Sequence, residues 1–273
     1  MLKGKMMDSH IQLPNGILKH FRSGAPEASG RVFYLDLNTS YIGLSGSGRL
    51  GTEAGYYSEE IETYLNEKIE TPFTTLAAKV RAFIHENREA LTLDSIDEEI
   101  CKNYVAASMA RSKPALDSLM TNSVTAQFMG EQANHDDLVF VSTQPGMLSS
   151  VLKAYKMLVI VNRTARHFVV PRNCFYEVQS KGSSCIVVPI SPGCVLELVP
   201  PDYSGNIVNG EECRLGYIDD PDIVCEMNRR ALRYEYAFNQ TFVASASRFE
   251  LEQLKAYLEA NREHLNSLKT ALE

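Results

Sequence analysis

The chain has 273 residues, 44% of them hydrophobic and 22% charged, which is the balance of an ordered globular protein and excludes disorder as the default. Its net charge of -7 argues against a general grip on nucleic acid, which needs a basic face to neutralise phosphates. No run approaches the roughly 18 uninterrupted apolar residues of a membrane-spanning helix, the best being Met157 to Val161 between Lys156 and Arg163.

The N-terminal stretch carries Lys3 and Lys5 but no apolar segment behind them, so no signal peptide is expected. The six cysteines, Cys101, Cys174, Cys185, Cys194, Cys213 and Cys225, contain no C-x2-C pair. Buried free thiols in a cytoplasmic protein are therefore expected, rather than disulfides or a zinc site. No metal-binding or cofactor-binding residue is assigned.

In chain order, the first 57 residues read as strand and turn. Pro14-Asn15-Gly16 is ambiguous: local chemistry favours a tight turn, while a short helix opening at Pro14 would put Leu18 and Phe21 on one face. Arg31 to Leu37 is rich in strand formers, with Gly24 to Gly30 and Gly43 to Gly55 as punctuation on either side. From Ser58 the period becomes helical through Ile61, Leu65, Ile69, Phe73, Leu76, Val80 and Phe83. Pro72 predicts a break or kink, with Thr71 capping a second helix and Pro72 at its first position. Ser95-Ile96-Asp97-Glu98 matches a capping box and opens a helix with the stripe Ile100, Tyr104, Ala107 and Arg111. Another helix is expected beyond Pro114, carrying Leu116 to Phe128. Gln132 to Val141 reads as a loop entering a strand, and Pro145 to Lys156 as a helix.

A β-rich block follows: Leu158 to Asn162, His167 to Val170, Phe175 to Val178, Cys185 to Ile190 and Cys194 to Val199. Residues 200 to 220 read as loop. A helix from about Asp222 to Phe238, a strand from Thr241 to Ala244 and a long helix from Arg248 towards Leu272 complete the chain. Strands and helices segregate rather than alternate, so the class is α+β. One domain over 1–273 is expected. A subdivision stays open between a mostly helical part with N-terminal strands, 1–135, and a β-rich part with two helices, 136–273.

Three residues are candidates for catalysis. His10 precedes a helix start, where the dipole favours a neutral imidazole able to act as base. Glu70 sits at the Pro72 break and can turn inward towards His10 or Arg111. Arg111 lies on an apolar stripe and needs a partner there. The structural alternative for all three is a set of buried pairs that fasten the fold. A second set is basic: Arg163, Arg166, His167 and Arg172, joined by Arg229, Arg230 and Arg233 if the elements meet. It is the anion-binding candidate, against a rim paired with Asp219, Asp220 and Asp222. Asn228, polar on an amphipathic helix, either bonds a neighbouring backbone and locks sheet to helix or contacts a ligand. Gly46-Ser47-Gly48-Arg49-Leu50-Gly51 is a literal G-x-G-x-x-G, but no βαβ unit follows, so a surface turn is expected there.

Four segments recur in a recognisable order. They are the H-x3-P-x3-L-x2-F frame of His10, Pro14, Leu18 and Phe21; Gly55-Tyr56-Tyr57 with the helix ending Lys68-Ile69-Glu70-Thr71-Pro72; the helix Tyr104 to Arg111; and a tail of Phe168 to Phe175, Val188 to Pro192 and Asn228 to Phe242. Together, from about residue 8 to 255, they resemble the domain-of-unknown-function 4238 family of bacterial and phage proteins. The chain departs from that pattern at Ser108, where the family carries Gln, and at Arg172, where it carries a carboxylate. The resemblance implies the fold more than it implies a function; a role in phage defence is one expectation kept open beside it.

Two functions are weighed. The favoured one is an intracellular, non-catalytic protein that binds an anionic ligand through Arg163, Arg166, Arg172 and Asn228, or acts in regulation or defence. The alternative is a hydrolase of phosphate esters or nucleic acid using His10, Glu70 and Arg111. The leucine-bearing C-terminal helix would pack on its own domain or on a second copy of the chain.

Overall fold

A computed structural model describes residues 15–47, 50, 58–85, 91–110, 152–180, 183–201, 215–238 and 241–270. Of the elements read from the sequence, those between 111 and 151 lie outside the described residues.

The ambiguous opening is helical. A four-residue turn, α1 (Asn15–Leu18), runs into a 3-10 turn at Lys19–Phe21, and both Leu18 and Phe21 are buried. Burial of these two side chains outweighs the local turn preference of Asn-Gly. Strand β1 (Arg31–Asp36) then pairs with β2 (Ile42–Gly46), a strand that the glycines of Ile-Gly-Leu-Ser-Gly conceal in the sequence.

Ser58 caps α2 (Glu59–Leu65) by accepting the Ile61 N–H at 3.3 Å. No break follows. A π-helical segment, Asn66–Glu70, carries the chain straight into α3 (Thr71–His85), and Thr71 has helical angles rather than those of a cap. The Thr71 N–H reaches back five residues to the Asn66 carbonyl. The extra residue in that turn is how a helix accommodates Pro72, which has no N–H and would collide with a carbonyl four residues back.

Helix α4 (Ser95–Ala110) is capped one residue earlier than its sequence suggests. Asp94 Oδ1 accepts the N–H groups of Ile96 and Asp97 at 2.8 and 2.9 Å, and Asp97 Oδ2 accepts the Asp94 N–H at 3.2 Å. The reciprocal pair is Asp94 and Asp97, with Ser95 already inside the helix.

The C-terminal half supplies β3 (Lys156–Asn162), β4 (Val170–Pro171), β5 (Tyr176–Ser180), β6 (Ser183–Ser191), β7 (Cys194–Val199) and β8 (Leu215–Ile218). It continues with α5 (Pro221–Phe238), β9 (Phe242–Ser245) and α6 (Arg248–Thr270). The expected strand at His167 to Val170 reduces to the two-residue β4, because His167 and Val169 face side chains of the helices instead of a strand (below). Strand β8, read as loop, is a short edge strand lying parallel to β3.

The strands form two sheets, one ordered β2-β1-β9-β4 and the other β5-β6-β7-β3-β8. Every pairing is antiparallel except β3 with β8. The fold is α+β. Strands from both ends of the chain share the first sheet.

Alternation along the strands builds two cores. On β1, Val32 enters one while Phe33 and Leu35 enter the other; on β7, Leu196 enters the first and Val195 the second. The first core receives the buried apolar side chains of α2, α3 and α4, and the second those of α5 and α6. With both faces covered, the interior strands read as continuous apolar runs, which is why β7 was plain in the sequence.

Candidate functional site

The polar centre of the described structure lies where the loop after β3 meets the starts of α5 and α6. Asn162 shapes that loop. Its Oδ1 accepts the N–H and hydroxyl of Thr164, both at 2.8 Å, and its Nδ2 donates to the Arg166 carbonyl at 2.6 Å. Such side-chain-to-backbone bonds hold a tight turn. Asp220 starts α5 by accepting the Asp222 N–H at 2.9 Å, with Pro221 as the first helical residue. Glu250 sits in the first turn of α6, where the helix dipole favours a carboxylate.

These elements aim three side chains at one another. Arg166 Nε and Nη2 donate to the two oxygens of Glu250 at 2.8 and 2.7 Å, a bidentate pair. Glu250 Oε1 also accepts the His167 N–H at 3.1 Å. Asn228 donates from Nδ2 to the His167 carbonyl at 2.8 Å and, at 3.4 Å, to Glu250 Oε2, and its Oδ1 accepts the Val169 N–H at 3.0 Å. Asn228 therefore locks the strand-side backbone onto α5. The Glu250 side chain is 3% exposed and that of Arg166 21%, so the pair is largely out of water. The hydrogen bonds that Arg166 donates to Glu250 hold its guanidinium above its usual pKa, against the opposing effect of burial.

A cleft of about 500 Å³ opens over this network. Arg166, Asn228 and Glu250 line its buried part, and Asp222, Cys225, Arg229 and Gln253 its more exposed part. Burial pushes the Cys225 thiol above its usual pKa, with the Glu250 and Asp222 carboxylates adding to the shift. Arg229 is loosely held, with Nη1 3.9 Å from Glu226 and its guanidinium 5.4 Å from the Tyr257 ring centroid.

The predicted basic set is only partly gathered here. Arg166 and Asn228 share the cleft. Arg163 instead stacks on Tyr217 at 3.5 Å and lies 3.9 Å from Asp219. The Arg172 N–H donates to Glu235 at 3.2 Å, seven residues further along α5 from Asn228, or about 10 Å of helix. Arg230 and Arg233 converge on Glu226 at 3.2 and 2.6 Å. Burial works to raise the Glu226 pKa, but the bonds from Arg233 and Arg230 hold it below the usual carboxylate range. Of the three catalytic candidates, Glu70 is half-buried at the end of the π-helical segment, while His10 and Arg111 lie outside the described residues. In the glycine-rich segment, Ser47 is buried rather than on the surface, and accepts bonds from Arg22 at 2.9 and 3.1 Å.

Sequence reasoning missed three groups. Glu250, the centre of the network, is one of several charges along α6, and nothing nearby in sequence announces a partner 84 positions away. Arg81 is 9% exposed on α3 and donates from Nη1 to the Ile190 carbonyl at 3.3 Å. Its spacing of four from Ala77 and eight from Phe73 places it on the buried face, which was a readable signal. His20 has a buried Nε2 with no hydrogen-bond partner. Its pKa is lowered to about 4, first by burial and then by Arg81, Lys19 and Arg22.

Among the described residues, Cys101, Cys174, Cys185, Cys194 and Cys225 are free thiols. No group of three or more His, Cys, Asp or Glu side chains among them is placed to hold a metal ion, and no helix is long and apolar enough to cross a membrane. No family model, no curated protein and no solved structure matches the chain.

Proposed function

We propose that this protein is a non-catalytic binding protein, and that the cleft between α5 and α6 takes a small polar ligand carrying an anionic group. The observation that carries this reading is the commitment of the groups that could do proton chemistry there. Both oxygens of Glu250 already accept bonds from Arg166, His167 and Asn228. The Cys225 thiol, with its pKa raised, stays protonated near neutrality and is a poor nucleophile. What the network does supply is a preorganised polar wall, the property that lowers the cost of ligand binding. Arg229, loosely held at the rim, is the cation that can turn to an anionic ligand, and Asp222 offers an acceptor beside it.

The free thiols support a reducing, cytoplasmic setting. The four ordered motifs support membership of the domain-of-unknown-function 4238 family and, with it, a bacterial source.

The test is a thermal-shift panel of carboxylates, amino acids, phosphorylated metabolites and nucleotides on wild type, Arg229→Ala and Glu70→Gln. A ligand present at 100 times its Kd stabilises by about 2.7 kcal/mol. The expected result is such a shift for at least one anionic compound, lost in Arg229→Ala and kept in Glu70→Gln. Hydrolysis of a phosphate ester or nucleic acid by the wild type, abolished in a folded Glu70→Gln, would overturn the reading in favour of the hydrolase.

A further inference from the structure

Away from the cleft, the 3-10 turn at Lys19–Phe21 packs against β6, and α1 packs against α3. This brings Arg81 and His20 into one electropositive cluster with Lys19 and Arg22. Arg81 is nine-tenths buried. A guanidinium has five N–H donors and cannot shed its charge by deprotonation. Its one hydrogen bond among the described residues goes to a neutral carbonyl, at 3.3 Å, and no carboxylate among them lies within ion-pair distance. Its neighbour Cys194 provides no counter-charge, because complete burial pushes that thiol far up and keeps it protonated. His20, on the 3-10 turn packed against the same strand β6, feels the Arg81 charge and has its Nε2 buried without a hydrogen-bond partner.

A buried cation with no opposing charge among the described residues and a buried polar atom with no partner are both costly when left so. Two such defects in one cluster are resolved together by one anion that accepts from both. We propose that Arg81 and His20 form a binding site for the phosphate group of a small molecule, separate from the α5–α6 cleft. Arg81 gives the planar donor edge that phosphate oxygens match. His20 gives a single N–H from Nε2, with Lys19 and Arg22 supplying long-range attraction. Three positive side chains around one imidazole favour a dianion over a monocarboxylate.

The test measures Tm in chloride buffer at fixed ionic strength, with added inorganic phosphate, sulfate, acetate or a sugar phosphomonoester. It also follows the His20 imidazole nitrogens by NMR. Expected are a rise in Tm with phosphate and sulfate that exceeds the acetate effect, and a shift of the His20 Nε2 resonance. His20→Phe and Arg81→Met should each lose at least tenfold in phosphate affinity, while Arg248→Ala, at an exposed position of α6, keeps it. Arg81→Met should also melt higher than wild type in the anion-free buffer, since it removes a buried charge that no described carboxylate opposes. Tighter binding of the phosphomonoester than of free phosphate identifies a metabolite, and the reverse identifies the inorganic ion; either supports the site. No phosphate-dependent change in Tm or in the His20 resonance, or a His20 shift that survives Arg81→Met, would overturn it. So would an Arg81→Met variant that melts lower than wild type without anion, because the guanidinium would then have an acid of the protein as its partner.

Discussion

Replacing Glu250 by Leu strips the acceptor from Arg166, from the His167 N–H and from one donor of Asn228. A buried donor left without an acceptor costs about 1–3 kcal/mol. The His167 N–H bears that cost in full. Asn228 bears less, since its 3.4 Å bond to Glu250 is long and its bond to the His167 carbonyl survives. Arg166, 21% exposed, recovers part of its hydration but stays charged and unpaired. The total is about 3–5 kcal/mol, the usual range for breaking one side of a buried pair. At roughly 2–4 °C per kcal/mol for a chain of this size, Tm should fall by about 6–20 °C. Urea unfolding and thermal melts followed by circular dichroism measure it. Arg166→Met in the same background removes the stranded charge, so the double variant should be more stable than the sum of the two single losses predicts, by at least about 1 kcal/mol. A loss under about 1 kcal/mol for Glu250→Leu, or two losses that simply add, would show that the network does not hold the two helices to the β3–β4 loop.

Three further outcomes follow from local geometry. Burial works to raise the Glu98 pKa, but bonds from the Lys102 ammonium and the Met157 N–H hold it below its ordinary value of 4.5. A carboxylate depressed in the folded state contributes stability in full above its unfolded pKa and loses it as pH falls through the folded one. The stability gap between wild type and Glu98→Gln in urea titrations should therefore be widest above about pH 5 and narrow as the pH falls through the depressed pKa of the folded state; a gap that widens on acidification refutes the assignment. A Cβ at Gly43 would overlap the ring of Tyr34, its cross-strand partner, so Gly43→Ala should lower the urea midpoint by the equivalent of about 1–3 kcal/mol. Adding Tyr34→Leu should recover part of that loss, and equal midpoints for wild type and Gly43→Ala would sink the packing argument. Among the five described thiols, Cys225 should be labelled first by a thiol reagent under native conditions. Peptide mapping should find Cys101, Cys174, Cys185 and Cys194 modified only on unfolding, and early labelling of any of these four would contradict their burial.

The long elements were legible because one signal decides each. Pro221 after Asp220, with Val224, Ala231 and Leu232 on one face, marks α5, and the leucine spacing marks α6. What escaped depends on partners distant in sequence. Strand β2 holds two glycines in five residues, and it is a strand because β1 pairs with it and Tyr34 covers Gly43. Strand β8 has four residues and exists through its parallel register on β3. The helix through Pro72 needed a π-turn, for which Asn66 to Glu70 carries no composition signal. The site divides the same way. Asn228 stood out as a polar residue on an amphipathic helix, and its lock on the backbone of His167 and Val169 is the structural role read for it. Arg166 stands out in the sequence only as one of a basic set, and Glu250 as one helix charge among several, until the fold pairs them. Arg163 and Arg172, grouped with Arg166 by proximity in sequence, are drawn elsewhere by Tyr217 and Glu235.

The most direct measurement is a map of amide chemical-shift changes when the anionic compound that stabilises the protein most among those sensitive to Arg229→Ala is titrated in. The account predicts that the largest changes cluster on Asp222, Cys225, Asn228, Arg229 and Gln253, with the Arg166 side-chain resonance moving alongside them. Changes centred instead on Glu70 and on the chain segments bearing His10 and Arg111, with the α5–α6 cleft silent, would contradict it.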